Sequence, residues 1–380
     1  MKKSKTLSLL TLGVLCASSA LAEITVGVSL SLTGPTAALG IPCKNALALW
    51  PETIAGEKLK VIVLDDATDP TRAAKNARSF VTEDKIDLIV GSATTPPSLA
   101  IAQVAEEAQV PQIVITPLDL PPGKGAWSFR IPQSNAQNAL AIVEHMKKAG
   151  LKSLGFLGYS DSYGEALLKE IGVAANQAGI GLVAVERFAR SDTTVIAQAI
   201  KLVAAKPDAV LVVASGSGAA LPHKTLVERG FKGNIYHPAS VASRDVIRVG
   251  GKDVEGALVV SGPVLIAEQL PSDNPVKPVA LSFVERYEKL YGSGSRNAFS
   301  SFVFDAGLIL QKIIPAALKK ARPGTVEFRA ALKEALESSG DIVGSSGIFN
   351  FTALDHFGRP QSSLYMLTIR NGDWALSGNR

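Results

Sequence analysis

The sequence predicts an α/β protein built from two doubly wound parallel sheets. Short apolar runs alternate along the chain with stretches of about ten to twenty residues whose apolar positions recur at helical spacing. Some runs, such as Ala209–Ala214, are apolar at every position, which is typical of strands that helices cover on both faces. A chain of 380 residues exceeds what one hydrophobic core normally serves, so two lobes are expected.

The apolar runs predict strands at Ile24–Leu30, Leu59–Leu64, Ile86–Val90, Gln112–Thr116, Ser153–Leu157, Leu182–Phe188, Ala209–Ala214 and Ala257–Ser261. The intervening segments predict helices at Ala37–Trp50, Thr71–Thr82, Pro97–Ala108, Asn135–Ala149, Tyr163–Ala178, Thr193–Ala204, Gly218–Gly230, Val276–Leu290 and Ala298–Leu318. Near the end of the chain, Asn371-Gly372 separates two further runs, Leu364–Arg370 and Trp374–Leu376. This pair of turn residues predicts a β-hairpin.

Segments rich in Pro and Gly mark the places where the chain is expected to pass from one lobe to the other. Residues 117–125 precede a short extended segment, Trp127–Ile131, that ends at Pro132. Gly262-Pro263 follows a later strand and is succeeded by helical pattern. From these breaks we expect a leader at residues 1–22, one lobe at 23–130 plus 263–344, and a second lobe at 131–262 plus 345–380.

The N-terminus has the pattern of a cleavable secretory signal peptide. Three lysines within the first five residues precede the apolar run Leu7–Leu15 and small residues that end at Ala22. The run is too short to span a bilayer, so we expect cleavage before Glu23 and export to the periplasm. Lipid attachment at Cys16 is disfavoured because the bulky Leu15 stands where small residues usually precede such a cysteine.

Charge and cysteine content exclude some classes of function. The formal net charge of +5 falls to +2 once the three leader lysines are removed, which does not suit nucleic-acid binding. Beyond the leader only Cys43 remains, so a disulfide within the chain is excluded and Cys43 is expected to be a buried small hydrophobe.

Enzymatic motifs are incomplete in this sequence. It has no phosphate-binding Walker loop, no His-Glu-x-x-His and no Cys/His cluster of metal-ligand spacing, so we expect no metal, no cofactor and no catalysis. Hydrolase chemistry is a remote alternative, because Gly158–Ser162 lacks the final glycine of a nucleophile elbow. Gly216-Ser-Gly218 is similarly incomplete as a dinucleotide fingerprint, since Leu221 stands in place of the third glycine.

One segment has the features of an anion site. In Gly91–Pro97 a predicted strand ends, Thr94 and Thr95 stand at the start of a helix, and prolines occupy its first positions. Ligands of doubly wound sheets bind at the carboxyl ends of strands, and the positive end of a helix dipole favours a carboxylate there. Ordinary helix capping by either threonine is the alternative interpretation.

Several segments together resemble one protein family: Ile24–Val28 with Ser31–Pro35 and Gly40, Val63–Pro70, Ile89–Thr95, Ile115–Pro117, Asp161–Gly164 and Gly256–Leu258. From Glu23 onward the chain resembles the periplasmic binding proteins of the branched-chain amino acid (leucine/isoleucine/valine) type. The resemblance implies a type I fold of two lobes joined by three crossovers. It also implies a small-molecule ligand and an inner-membrane ABC permease as partner. We expect a monomer that does not bind nucleic acid.

The resemblance also implies roles for particular residues. A hydroxyl at Thr95 and the backbone near Leu118 and Leu120 would hold the carboxylate of the ligand. An aromatic ring at Tyr163 would face it from the other lobe, with Tyr159 as a further possible wall. The resemblance places a second ring near Phe299, for which a place in the core of its own helix is the alternative.

Departures from the family pattern concern the amino group of the ligand. Members that bind α-amino acids pair the ammonium with an acidic residue, where this chain has Ala239. Two tyrosines of that pattern correspond to Ser215 and Leu39 here. A buried ammonium without a counter-charge costs several kcal/mol. We therefore expect an amine-free acid, such as a benzoate or phenylpropanoid derivative, with a branched-chain or other amino acid as the alternative.

Other polar residues fall in loops expected to border the cleft. Asp119, His237 and Arg244 could contact ring hydroxyls or a second polar group of the ligand, or could be solvated loop residues. If Asp119 pointed into the cleft, it could restore ammonium binding. The sensing domain of a receptor is a further alternative, but it would be expected to continue into a membrane or signalling segment, and the sequence ends at Arg380.

Overall fold

The computed structural model describes residues 23–121, 123–358 and 364–378, so the predicted leader lies outside it. The first sheet has the strand order β2-β3-β1-β4-β5-β6. All its pairings are parallel except that of β2 with β3. Its elements are β1 (Ile24–Leu30), α1 (Ala37–Ala46), β2 (Thr53–Ile54), β3 (Glu57–Asp65), α2 (Pro70–Thr82), β4 (Leu88–Gly91), α3 (Thr95–Ala108), β5 (Gln112–Val114) and β6 (Ser128–Arg130).

The chain then enters a second sheet, whose strand order is β15-β14-β11-β10-β9-β7-β8. The strands from β7 to β11 pair in parallel. They and their helices are α4 (Asn135–Lys148), β7 (Ser153–Tyr159), α5 (Ser162–Gln177), β8 (Gly181–Phe188), α6 (Ile196–Ala205), β9 (Ala209–Val213), α7 (Ala220–Glu228), β10 (Asn234–His237), α8 (Arg244–Gly250) and β11 (Leu258–Ser261).

After β11 the chain returns to the first sheet and then crosses back. The remaining elements are α9 (Lys277–Tyr291), α10 (Ala298–Leu318), α11 (Val326–Glu337), β12 (Ile342–Val343), β13 (Ile348–Phe349), β14 (Tyr365–Arg370) and β15 (Asp373–Leu376). The indole Nε1 of Trp50 donates a 2.8 Å hydrogen bond to the carbonyl of Val303, which fixes α10 to the first sheet. β14 pairs antiparallel with β11. Three crossovers therefore join the two lobes.

Central and edge strands differ in burial. Every residue of β1 is buried, as expected for a central parallel strand covered by helices. The edge strand β8 is mostly half-buried or exposed and carries a register shift opposite Leu154/Gly155, a feature that protects sheet edges from further pairing. Among the described helices, α10 has the length and composition of a membrane span, but most of it is buried in the protein core.

The α/β class with two parallel-sheet lobes is confirmed. The Asn371-Gly372 hairpin is also present, with positive φ at both residues, as a two-residue turn of this type requires. The prediction did not include α8 and α11, and it began α3 two residues late, at Pro97 instead of Thr95.

Candidate ligand-binding site

A small cavity lies between the two sheets. The segments that follow β4, β5, β8, β9 and β10 supply most of its wall, so it sits at the carboxyl ends of parallel strands, where ligands of such sheets bind. In this conformation its free volume is about 10 Å³, the room of about one water molecule, so a ligand would need the lining side chains or the lobes to move apart. Its lining residues are Ala93, Thr94, Thr95, Thr116, Tyr163, Arg190, Ser215, Ser240 and Phe299.

Arg190 is the charged residue among the described residues of this lining, and it lies in no motif that would predict it from the sequence. Its side chain is 12% exposed, and its guanidinium lies 4.1 Å from the ring centroid of Tyr159. Nε donates a 2.6 Å hydrogen bond to Oδ2 of Asp161. Nη1 is buried and has no hydrogen-bond partner among the described residues. A buried donor of this kind is available to an anionic ligand, to which arginine binds through charge-assisted hydrogen bonds.

Asp161 connects two parts of the wall. Its Oδ1 accepts hydrogen bonds from the backbone N–H groups of Tyr163 (2.9 Å) and Gly164 (3.2 Å), which caps the N-terminus of α5. Its Oδ2 holds Arg190, as described above. Both carboxylate oxygens therefore have partners within the protein, and the same side chain positions the Tyr163 ring and the Arg190 guanidinium.

The two threonines of the predicted anion site differ in their contacts. Thr95 Oγ1 donates to the carbonyl of Pro117 at 2.9 Å. Thr94 Oγ1 is buried without a partner among the described residues, and its side chain does not cap α3. The prediction of ordinary capping was therefore wrong. The hydroxyl that remains free is that of Thr94, one residue before the predicted Thr95.

The N-terminus of α3 offers fewer backbone donors than the prediction assumed. Pro96 and Pro97 occupy the second and third helical positions, and proline has no N–H. Two of the usually unsatisfied donors of a first turn are therefore missing. An anion in this cavity would depend on side-chain donors more than on the helix end.

A buried polar network supports the loop that carries Thr94. The carboxylate of Asp66 accepts hydrogen bonds from the hydroxyls of Ser31 (2.7 Å), Ser92 (2.8 Å) and Ser29 (3.2 Å). Burial raises the pKa of Asp66, while these hydrogen bonds act in the opposite direction. Because Ser92 directly precedes the cavity residues Ala93 and Thr94, this network fixes the position of the cavity wall.

Aromatic rings form the opposite part of the lining. The hydroxyl of Tyr163 donates a 2.6 Å hydrogen bond to Ser240 Oγ, which in turn donates to the carbonyl of Ala214 at 2.6 Å. Burial raises the pKa of Tyr163, so its hydroxyl stays protonated at neutral pH. Phe299 is 2% exposed and packs edge-on against Phe302. Both residues belong to the cavity lining.

The structure brings Thr94, Thr95, Tyr163, Ser215 and Phe299 together as predicted. It does not bring Leu118, Asp119, Leu120 or Ala239 into the lining. Leu118 packs in a small apolar cluster, Leu120 packs beside Gly125, and the backbone N–H of Ala239 donates to Asn138. Asp119 is exposed and accepts a 2.8 Å hydrogen bond from Asn135, so it supplies no counter-charge to the cavity.

The other two polar loop candidates also lie elsewhere. His237 is 1% exposed, and its Nε2 lies 2.9 Å from Nδ1 of His223. Arg244 pairs with Asp373 at 2.8 Å on the surface. In the described part of the chain, no group of three or more His, Cys, Asp or Glu residues is arranged to hold a metal ion.

A cavity lined by side chains from two doubly wound lobes is typical of two-lobed ligand-binding proteins. The chain matches the model of the periplasmic binding protein family over residues 23–373 and belongs to that family. The resemblance identified from the sequence is thereby confirmed.

Individual relatives support the same assignment. Leu/Ile/Val-binding protein homolog 3 of Brucella melitensis is 23% identical over 360 residues, 92% of each chain. An extracellular ligand-binding receptor from Rhodopseudomonas palustris is 48% identical with a TM-score of 0.92, covering 93% of this chain and 99% of that one. A solute-binding protein of an R. palustris ABC transporter, solved with benzoate, has a TM-score of 0.79 at 21% identity, covering 94% and 96%. At that identity the last comparison shows the fold alone.

Proposed function

We propose that this chain is the periplasmic solute-binding component of an ABC importer for a small carboxylate without an α-amino group. The observation that carries the proposal is the pair of unpartnered donors in the cavity wall, Arg190 Nη1 and Thr94 Oγ1. Leaving a polar group buried and unpaired costs about 1–3 kcal/mol, more when it is charged. A bound carboxylate would accept hydrogen bonds from both groups and remove this cost.

The cavity favours an acid over an amino acid. Among the lining residues there is no Asp or Glu, and Asp161 already uses both of its oxygens. An ammonium group placed beside Arg190 would meet a like charge, and the neighbouring carboxylate of Asp161 is already paired with Arg190, which is unfavourable in a desolvated site.

The rest of the wall favours a ring. Tyr163 and Phe299 supply aromatic side chains to the lining, which also includes the small residue Ala93. Aromatic pairs gain energy beyond simple burial. The benzoate held by a protein of the same fold supports an aromatic acid of the benzoate or phenylpropanoid type, although that protein is too distant to transfer its ligand directly.

Closure of the lobes would couple binding to transport. A ligand that touches both lobes binds the closed state more tightly and shifts the population toward it. The permease would then distinguish closed from open protein. This proposal includes the lobe limits 23–130 plus 263–344 and 131–262 plus 345–380, removal of residues 1–22 by a signal peptidase, a monomeric form and a role without catalysis.

The test compares ligands that differ in one group, by calorimetry on the protein from Glu23 onward. 3-Phenylpropanoate and phenylalanine differ only by the amino group, as do 4-methylpentanoate and leucine, and benzamide is the uncharged partner of benzoate. We expect binding of amine-free acids and none of benzamide. Leucine must be included among the tested ligands because the Brucella relative is named as a Leu/Ile/Val-binding protein homolog. Tighter binding of leucine than of 4-methylpentanoate would overturn the proposed ligand class.

The variant Arg190→Gln tests the charged donor directly. A hydrogen bond to a charged group contributes about 1.5–3 kcal/mol, so affinity for the acid that binds best should fall roughly 10- to 100-fold. Arg187→Gln is the matched control, because Arg187 lies three residues earlier, pairs with Glu165 and is exposed. Equal affinities of the two variants would contradict the assignment of Arg190 to the carboxylate.

A further inference from the structure

A backbone contact crosses the cleft next to the cavity. Ser243 and Asn297 form an isolated antiparallel β-bridge, and the N–H of Ala298 donates a 3.2 Å hydrogen bond to the carbonyl of Ala242. Residues 242–243 follow β10 of the second sheet, whereas residues 297–298 begin α10, which is anchored to the first sheet. We call residues 242–243 and 297–298 the interlobe bridge.

Each side of the interlobe bridge is rigid in its own lobe. The N–H of Ala242 donates to the carbonyl of Ala239, which holds residues 239–242 in a turn. On the other side, Asn297 Oδ1 accepts from the N–H of Ser300 at 2.8 Å, and Ser300 Oγ accepts from the N–H of Asn297. This capping box fixes the direction in which the N–H of Ala298 points.

The interlobe bridge is contiguous with the cavity wall. Ser240 precedes Ala242 by two residues, and Phe299 directly follows Ala298, so a ligand that touches both would align the two sides. The bridge is also dry, because Ala242, Ser243, Asn297 and Ala298 are 0–5% exposed. A hydrogen bond across such a dry contact cannot be exchanged for one to water unless the lobes separate.

We propose that the interlobe bridge is a latch that forms when the lobes close and sets how slowly a bound ligand leaves. This proposal rests on the lobe closure described under the proposed function, but it does not depend on the chemical class of the ligand. In the open protein the N–H of Ala298 and the carbonyl of Ala242 would be hydrated separately. The latch therefore contributes to the closed state alone, and its loss should raise the dissociation rate with little change in the association rate.

The variant Ala298→Pro removes one latch hydrogen bond and sets a ring methylene against the carbonyl of Ala242, so it opposes the closed contact without disturbing α10. Ala298 is the first residue of α10, where proline is favoured. Asn297, with φ −152° and ψ 170°, already has the extended conformation that a residue before proline requires. The matched control is Val326→Pro at the first position of α11, where the capping residue Thr325 is similarly extended, with φ −113° and ψ 158°.

The first readout is stopped-flow dissociation of 3-phenylpropanoate. Ala298→Pro should release it at least about three- to tenfold faster, the effect expected for one hydrogen bond alone, and Val326→Pro should match the unmodified protein. Equal dissociation rates for all three proteins would overturn the latch.

A second readout needs no ligand, so it distinguishes failure of the latch from failure of the proposed function. An antiparallel pair of this kind brings its Cα atoms to about 4.5 Å, within the range for a disulfide. Ser243→Cys with Asn297→Cys should cross-link under mild oxidation, while the buried Cys43 takes no part. Adding Ala298→Pro should slow cross-linking several-fold and Val326→Pro should not. Cross-linking that is absent, or that is insensitive to Ala298→Pro, would overturn the proposal.

Discussion

At the scale of single residues, the candidate site depends on which polar atoms keep a free hydrogen-bonding position. Thr94 and Thr95 are adjacent and chemically identical, yet one hydroxyl donates to Pro117 and the other has no hydrogen-bond partner in the described part of the chain. The sequence predicted this pair of residues for the site but not the difference in their hydrogen bonds. The difference depends on the position of the Pro117 carbonyl, which the local pattern does not specify.

Exchange of each hydroxyl for a methyl group should therefore have opposite effects. Thr94→Val removes an unpaired buried hydroxyl, so the ligand-free protein should be as stable as before or slightly more stable, while affinity for a bound acid falls about tenfold. Thr95→Val leaves the carbonyl of Pro117 unpaired and should lower the free energy of unfolding by about 1–2 kcal/mol, with a smaller effect on affinity. Denaturant unfolding and calorimetry on both variants check this. The reverse pattern would assign the ligand contact to Thr95.

At the scale of elements, adjacent parallel strands explain why Arg190 and Asp161 meet. β7 and β8 are neighbours, and the loops that follow them emerge at the same edge of the sheet. The sequence predicted both strands and could have paired these two loops. It did not, because Asp161 was interpreted only through the segment Asp161–Gly164 and Arg190 lies in no motif. The charge of the site was therefore missing from the sequence prediction.

Asp161→Asn tests this double role of one side chain. An amide has one acceptor oxygen, so asparagine must give up either the cap of α5 or the hydrogen bond from Arg190. We expect lower affinity for the acid and a loss of about 1 kcal/mol or more in the free energy of unfolding. The control is Asp69→Asn, because exposed Asp69 caps α2 alone, accepting from the N–H of Arg72 at 2.7 Å. Unfolding curves and calorimetry should separate the two variants, and indistinguishable results would contradict the double role.

At the scale of the whole molecule, the two-lobed architecture was predictable. Strands that are buried on both faces, such as β9, are apolar at every position, and this pattern can be recognised in the sequence. The composition of the cavity was only partly predictable. Leu118 continues an apolar run and packs with Ala102 and Val114, so the loop after β5 turns its side chain into the lobe. Which loop faces the other lobe depends on how the lobes meet, and periodicity carries no information about that contact.

The stability of the folded molecule should depend on pH through a buried histidine pair in the second lobe. The rings of His223 and His237 stack and are 2% and 1% exposed. Burial lowers the pKa of His223 from 6.5 to about 4 and lowers that of His237 well below its usual value. Both groups are therefore neutral in the folded protein at pH values where the unfolded chain already binds protons.

This pKa difference fixes the sign of the effect. Above pH 6.5 neither state is protonated at His223, and the pair makes its full contribution to stability. Between about pH 6.5 and 4 the unfolded state binds more protons, so the free energy of unfolding falls with falling pH, by at most about 1.4 kcal/mol per pH unit for His223. Buried acids such as Asp66 and Asp305, whose pKa values burial raises, act in the opposite direction. The measurement is therefore the difference between the unmodified protein and His223→Gln in urea unfolding at several pH values. The free energy of unfolding of the variant should fall less steeply with falling pH than that of the unmodified protein. Parallel pH dependences of the two proteins would show that His223 does not resist protonation.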